Sequence, residues 1–160
     1  MRATTRFLDA NVVLYAAGAP HPHRAPCVEV LRRAAAGELS LVVDTEVLQE
    51  TLQVCARRGR RHDGVALVQE TIEVCVEVLP VTASDIAEAC ALVATIEGIS
   101  VRDAVHAAVM LGRGIRDISS VDTDFDRVPG IRRIPPGTPD PDADPDPDPD
   151  PDADADADGD

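Results

Sequence analysis

The stretch RFLDANVVLY, residues 6–15, decides the fold. Its first four residues read as a short buried strand, and the apolar run continues past an ionisable Asp9 with Asn11 beside it. A buried carboxylate is costly unless it is protonated, hydrogen-bonded, paired or bound to a metal. Asp9 therefore needs compensation, and two readings are open. It caps a helix starting near Asn11, or it faces a site at the strand's end.

Working outward, LSLVV (39–43), EVLPV (77–81), DISSV (117–121) and IRRI (131–134) also read as short strands. Helix-like stretches lie between them at 25–36, from Thr45 towards Arg58, and at 63–76. Two further helix starts carry capping-box variants, Thr82-Ala-Ser-Asp85 and Ser100-Val-Arg-Asp103, and Asp44 is expected to cap the helix from Thr45. Strands alternating with helices predict a parallel sheet covered on both faces, an α/β layered fold.

Length and composition limit what this fold can be. With 160 residues, 44% of them hydrophobic, the chain can build one ordinary core, which we place at residues 1–134. From Pro135 a Pro/Asp/Ala-rich tail begins that cannot bury apolar surface and repels itself, so residues 135–160 are expected to be a disordered acidic tail. The tail's eleven aspartates dominate the formal net charge of −14; without them 18 acidic residues face 15 basic ones, all arginine, a net of −3. No apolar run approaches the ~20 residues of a membrane span. The N-terminus MRATTRFLD lacks the pattern of a signal peptide, so a cytoplasmic protein without membrane contact is expected. Cys27, Cys55, Cys75 and Cys90 have no C-x-x-C or zinc spacing and read as buried free thiols. The only aromatic rings besides histidine, Phe7, Tyr15 and Phe125, are too few for a base-stacking platform.

In such a sheet ligands bind outside the carboxyl ends of the strands. Asp9 closes the first strand and Asp122 follows DISSV, so two acids reach that edge independently. Asp103 joins them from the first turn of the almost wholly apolar helix SVRDAVHAAVMLG. In TEVLQETLQVC, Val47, Leu48, Thr51, Leu52 and Cys55 share one helical face; Glu50 lies near its border, whereas Glu46 lies opposite. Converging carboxylates repel unless a cation neutralises them, and an oxygen-only set suits Mg²⁺ or Mn²⁺. That is the chemistry of metal-assisted phosphodiester cleavage.

Plainer readings stand beside these. Asp103 fits the last position of a capping box, and Glu50 taken alone is a solvated helix residue. His21 and His23 read as a surface loop, and His106 as a satisfied core histidine or a group standing behind Asp103. Arg57, Arg58, Arg60 and Arg61, around the helix-breaking Gly59, read as a solvated helix end, as contacts for the phosphates of a substrate, or as a holder for the acidic tail.

Taken together and in order, FLDANVVLYA, TEVLQE, SVRDAVHAAVM and ISSVDTDFDRVPGI resemble the PIN-domain family over about residues 5–134, in particular the VapC-type ribonuclease toxins of type II toxin–antitoxin modules. The resemblance implies a three-layer α/β/α fold with a central, mostly parallel sheet, and a Mg²⁺- or Mn²⁺-dependent endoribonuclease. It implies Asp9, Glu50, Asp103 and Asp122 as catalytic acids and Asp9, Asp103, Asp122 and Asp124 as metal ligands, with Asn11 and Ser120 shaping the site. RNA as substrate, a cognate antitoxin and a homodimer are the partners it implies. A PIN nuclease of RNA processing without an antitoxin, or a catalytically silent domain that binds a basic segment in its acidic pocket, are the competing expectations.

Overall fold

The computed structural model describes residues 5–139 and Pro141; the rest of the expected disordered tail lies outside the described residues. Among these residues five strands, β1 (Thr5–Leu8), β2 (Ser40–Asp44), β3 (Glu77–Leu79), β4 (Asp117–Ser119) and β5 (Arg132–Ile134), form one sheet in the order β3-β2-β1-β4-β5. Every pairing is parallel, with Phe7 opposite Val42 on one side and Ile118 on the other. The sheet is thus wholly parallel among the described residues. Its three inner strands have almost no polar residue facing out, because both faces are covered.

Among the described residues six helices cover it: α1 (Ala10–Ala17), α2 (Arg24–Ala35), α3 (Thr45–Arg57), α4 (Arg61–Val74), α5 (Ala83–Thr95) and α6 (Val101–Gly112). A short 3₁₀ turn at Thr123–Arg127 joins β4 to β5. Contacts group α1 to α4 together and pair α5 with α6. Right-handed crossovers account for this: the chain steps from β1 to β2 to β3 in one direction, then returns across the other face to β4. The result is three layers, α/β/α. Phe7, Leu8, Leu41, Val43, Val47, Met110, Ile118 and Phe125 fill the main core, while Ala89, Ala104, Ala107 and Ala108 allow α5 to pack closely on α6.

The expected elements are present with shifted ends. EVLPV and DISSV pair only as far as Leu79 and Ser119, so Pro80, Val81, Ser120 and Val121 are loop. Thr82 forms a full capping box with Asp85, whereas Ser100 makes half of one: its Oγ accepts from the Asp103 N–H. Two expectations about burial fail. Cys90 is exposed, because α5 turns just Asp85 and Ala89 fully inward, and Cys75, at the C-terminal end of α4, is only half-buried. Leu52 is 40% exposed, although its Cδ1 lies against Gly64 of α4. His21 and His23 lie on the exposed α1–α2 loop beside Tyr15, as a surface loop.

Candidate metal centre

The strand order reverses direction between β1 and β4, and the crevice beyond their carboxyl ends is the expected place for a ligand. A cleft of about 230 Å³ opens there, lined by Asp9, Asn11, Glu50, Asp103, Asp122 and Asp124 among others. Four separate parts of the chain deliver these acids. The structure therefore brings together the carboxylates picked out from the sequence.

Asp9 occupies the N-cap position of α1, yet its side chain makes no capping bond. Instead Oδ2 accepts from Ser120 Oγ at 2.5 Å and from Asn11 Nδ2 at 2.7 Å. Asn11 also donates to Ser120 Oγ, and Ser120 Oγ accepts from the Asp122 N–H, so the two residues hold the Asp9 carboxylate against the end of β4. Burial pushes the Asp9 carboxyl up to about 6, with Asp103 and Glu50 adding to the rise; the His106 charge and the Ser120 bond offset part of it. Burial also raises Asp103, although Ser100 Oγ donates to its Oδ2 at 2.6 Å.

Asp122 caps the 3₁₀ turn, its Oδ1 accepting from the Asp124 N–H at 2.9 Å, and Asp124 pairs with Arg127. One oxygen from each of Asp103, Asp122 and Asp124 falls within 4.8 Å of the others. An all-oxygen set of this kind suits a hard divalent cation. The residues present fit such an ion.

On the opposite wall Glu50 meets Arg102, whose Nη1 donates to Oε1 at 2.5 Å. Burial works to raise Glu50, but His106 and Arg102 outweigh it and hold it below its ordinary value. Behind it Asp44 does cap α3, its Oδ1 accepting from Val47 N–H at 2.8 Å, and its second oxygen lies 2.8 Å from His106 Nδ1. His106 is wholly buried and tilted against Phe7. Burial disfavours its charge, yet Asp44, Glu50 and Asp9 push it up to about 10.

Sequence reasoning missed Arg102 at the mouth of the cleft and the junction of His106 with Asp44. The adjacency of Arg102 to Asp103 was the available signal for the first. For the second there was none, since 62 residues separate the pair. Arg57, Arg58, Arg60 and Arg61 are exposed at the α3–α4 turn, outside the cleft lining, and Arg60 pairs with Asp63 at 2.7 Å. Along α3, Arg57 stands roughly 10 Å beyond Glu50.

A family model described as PIN domain matches residues 6–131. Ribonuclease VapC13 of Mycobacterium tuberculosis is 36% identical over 127 residues, 79% of this chain and 97% of its own length. The crystal structure of VapC20 from the same species, a toxin that cleaves the sarcin–ricin loop, matches with a TM-score of 0.65 at 23% identity, covering 77% of this chain and 93% of that one. VapBC2 from Rickettsia felis, solved bound to a DNA fragment from its promoter, matches with a TM-score of 0.63 at 15% identity, covering 82% of this chain and 98% of that one. At such identities the two structures carry the fold alone.

Proposed function

The chain belongs to the PIN-domain family, with VapC ribonucleases as its relatives, and on that premise we propose that it is a divalent-cation-dependent endoribonuclease acting as the toxin of a type II toxin–antitoxin pair. The observation that carries this reading is the convergence of Asp9, Glu50, Asp103, Asp122 and Asp124 on one cleft at the switch point of the sheet. Asp9, Asp103, Asp122 and Asp124 would hold Mg²⁺ or Mn²⁺. Bound there, the ion supplies a water of lowered pKa and neutralises charge on the phosphate.

The chain's own residues do the rest. Ser120 and Asn11 fix the Asp9 carboxylate in one orientation, and Ser100 fixes Asp103. Glu50, kept ionised by His106 and Arg102, orients the attacking water from the opposite wall. Arg102, 40% exposed at the mouth, is placed to take a phosphate oxygen of the RNA, and Arg57, Arg58, Arg60 and Arg61 extend that basic track along the strand. The groove formed by Val13, Ala16, Val28, Leu31, Leu67 and Val74 offers an antitoxin segment an apolar seat. Ile86, Cys90 and Val93, exposed along one side of α5, suit a second copy of the chain.

Cleavage of a mixed RNA pool by the purified chain, with Mg²⁺, Mn²⁺ or EDTA, tests the reading. Cutting should need the metal and fall on the order of 100-fold or more in folded Asp9→Asn and Asp103→Asn variants. Cutting that survives EDTA, or that both variants retain, would remove the acidic cleft from the reaction. No cutting by folded, antitoxin-free protein would leave a binding module in place of an enzyme.

A further inference from the structure

The carboxylate cluster explains where an ion sits among Asp103, Asp122 and Asp124, but not why a histidine lies beneath it. His106 is one helical turn deeper than Asp103 on α6 and wholly buried, and its Nε2 has no hydrogen-bond partner among the described residues. A buried polar atom left unpaired is costly, so an unpaired Nε2 asks for an occupant. Nε2 lies 3.9 Å from Glu50 Oε2, too long for a hydrogen bond. One oxygen of Asp9 and one of Glu50 fall within 4.8 Å of each other and of a His106 nitrogen.

We propose that His106 is a metal ligand: its Nε2, with one oxygen each from Asp9 and Glu50, forms an inner divalent-cation site beneath the aspartate cluster, and Asp44 holds the ring in place. The inference deepens the proposed function and rests on it: it assigns the cleft a second, chemically different cation position, and it gives Asp9 and Glu50 to that inner ion while Asp103, Asp122 and Asp124 hold the outer one. Two features carry it. First, the donors are spaced for an ion: bonds of about 2.1 Å put neighbouring ligands about 3 Å apart and opposite ones about 4.2 Å apart, and 3.9 Å lies between. Second, the Nδ1–Asp44 contact is the arrangement that fixes a ligating imidazole, leaving Nε2 as the donor.

The nitrogen donor makes this site chemically unlike the outer one. An imidazole ligand shifts preference from Mg²⁺ towards Mn²⁺ and later transition metals. The outer site, built from oxygen alone, has no such preference. Asp44→Asn keeps a capping oxygen for Val47 but removes the charge behind the ring, so it should weaken Mn²⁺ binding about 10- to 100-fold while Mg²⁺ binding changes less.

The decisive readout is pulsed electron paramagnetic resonance of bound Mn²⁺. The chain has four histidines, so the triple variant His21→Ala, His62→Ala, His23→Ala leaves His106 alone. Its Mn²⁺ spectrum should show nitrogen coupling that changes when histidine is labelled with ¹⁵N. Folded His106→Gln should lose that coupling; if this buried variant does not fold, the triple variant still decides. Mn²⁺ bound without nitrogen coupling, or no Mn²⁺ bound at all, would overturn the inference. Metal-dependent RNA cutting without nitrogen coupling would sink the histidine ligand and leave the nuclease standing, whereas coupling in a chain that cuts no RNA would do the reverse.

Discussion

Asp9 carries a charge that its surroundings resist. Burial is the main cause of the rise of its carboxyl from an ordinary 3.8 to about 6, and His106 and Ser120 only moderate it. The folded chain therefore holds this proton more tightly than the unfolded chain does. Asp9 accordingly takes stability away as pH rises from about 4 to about 6, and the loss persists above that range. A shift of this size corresponds to at most about 3 kcal/mol. Asp9→Asn removes the titration, and its side-chain oxygen can still accept from Asn11 and Ser120. In EDTA the variant should match the parent near pH 4 and gain up to about 3 kcal/mol at pH 7.5, read from urea unfolding at each pH. Added Mn²⁺ should then raise the melting temperature of the parent more than that of the variant, which keeps the cluster of Asp103, Asp122 and Asp124. A difference that does not change with pH would show that burial of the charge is not what the substitution relieves.

The α3–α4 hairpin shows how a whole element is set by one small residue. Gly64 lies inside α4, where alanine would favour the helix by about 1 kcal/mol. A Cβ there, however, would sit 2.7 Å from Cys55 Cβ and 3.3 Å from Leu52 Cδ1. Cys55 Cβ is fixed to the backbone of α3, so relief requires the two helices to part. Overpacking of this kind costs about 1–3 kcal/mol, and the substitution Gly64→Ala should lower stability by about 1–2 kcal/mol despite the better helix former. A gain in urea unfolding would mean that α3 and α4 separate freely. The same packing explains what could be read from the sequence. Strands β1 and β2 were legible because strands covered on both faces become near-continuous apolar runs, and Glu50 because its place on the helical wheel follows from α3 alone. Asp9, Asp103 and Asp122 could be placed at one edge because each follows or opens an element that ends there. Leu52 and Cys90 were misjudged because their exposure depends on which neighbour arrives and at what distance, which no single helix encodes. The Asp44–His106 contact escaped for the same reason: Asp44 already had a sufficient local role as a cap.

At the scale of the molecule the question is how a chain of net charge −14 approaches a polyanion. Up to Pro139 the net is only −3, and arginines stand at the cleft mouth and at the α3–α4 turn. The repulsion is concentrated in the eleven aspartates from Asp140 onward, joined to a domain whose last strand ends at Ile134. If those charges compete with RNA phosphates for the arginines, the competition is electrostatic and must fade with salt. The screening length is about 10 Å at 0.1 M ionic strength and about 3 Å at 1 M. Truncation after Pro136 should therefore tighten binding of a non-cleaved RNA, measured on an Asp103→Asn background, most at low salt. The two chain lengths should converge as salt rises. The truncated chain should also show the steeper salt dependence, because more of its basic groups are free to release counterions from the RNA. Equal affinities at every ionic strength would show that the tail stays clear of the RNA path, and its charge would then bear on solubility rather than on substrate binding.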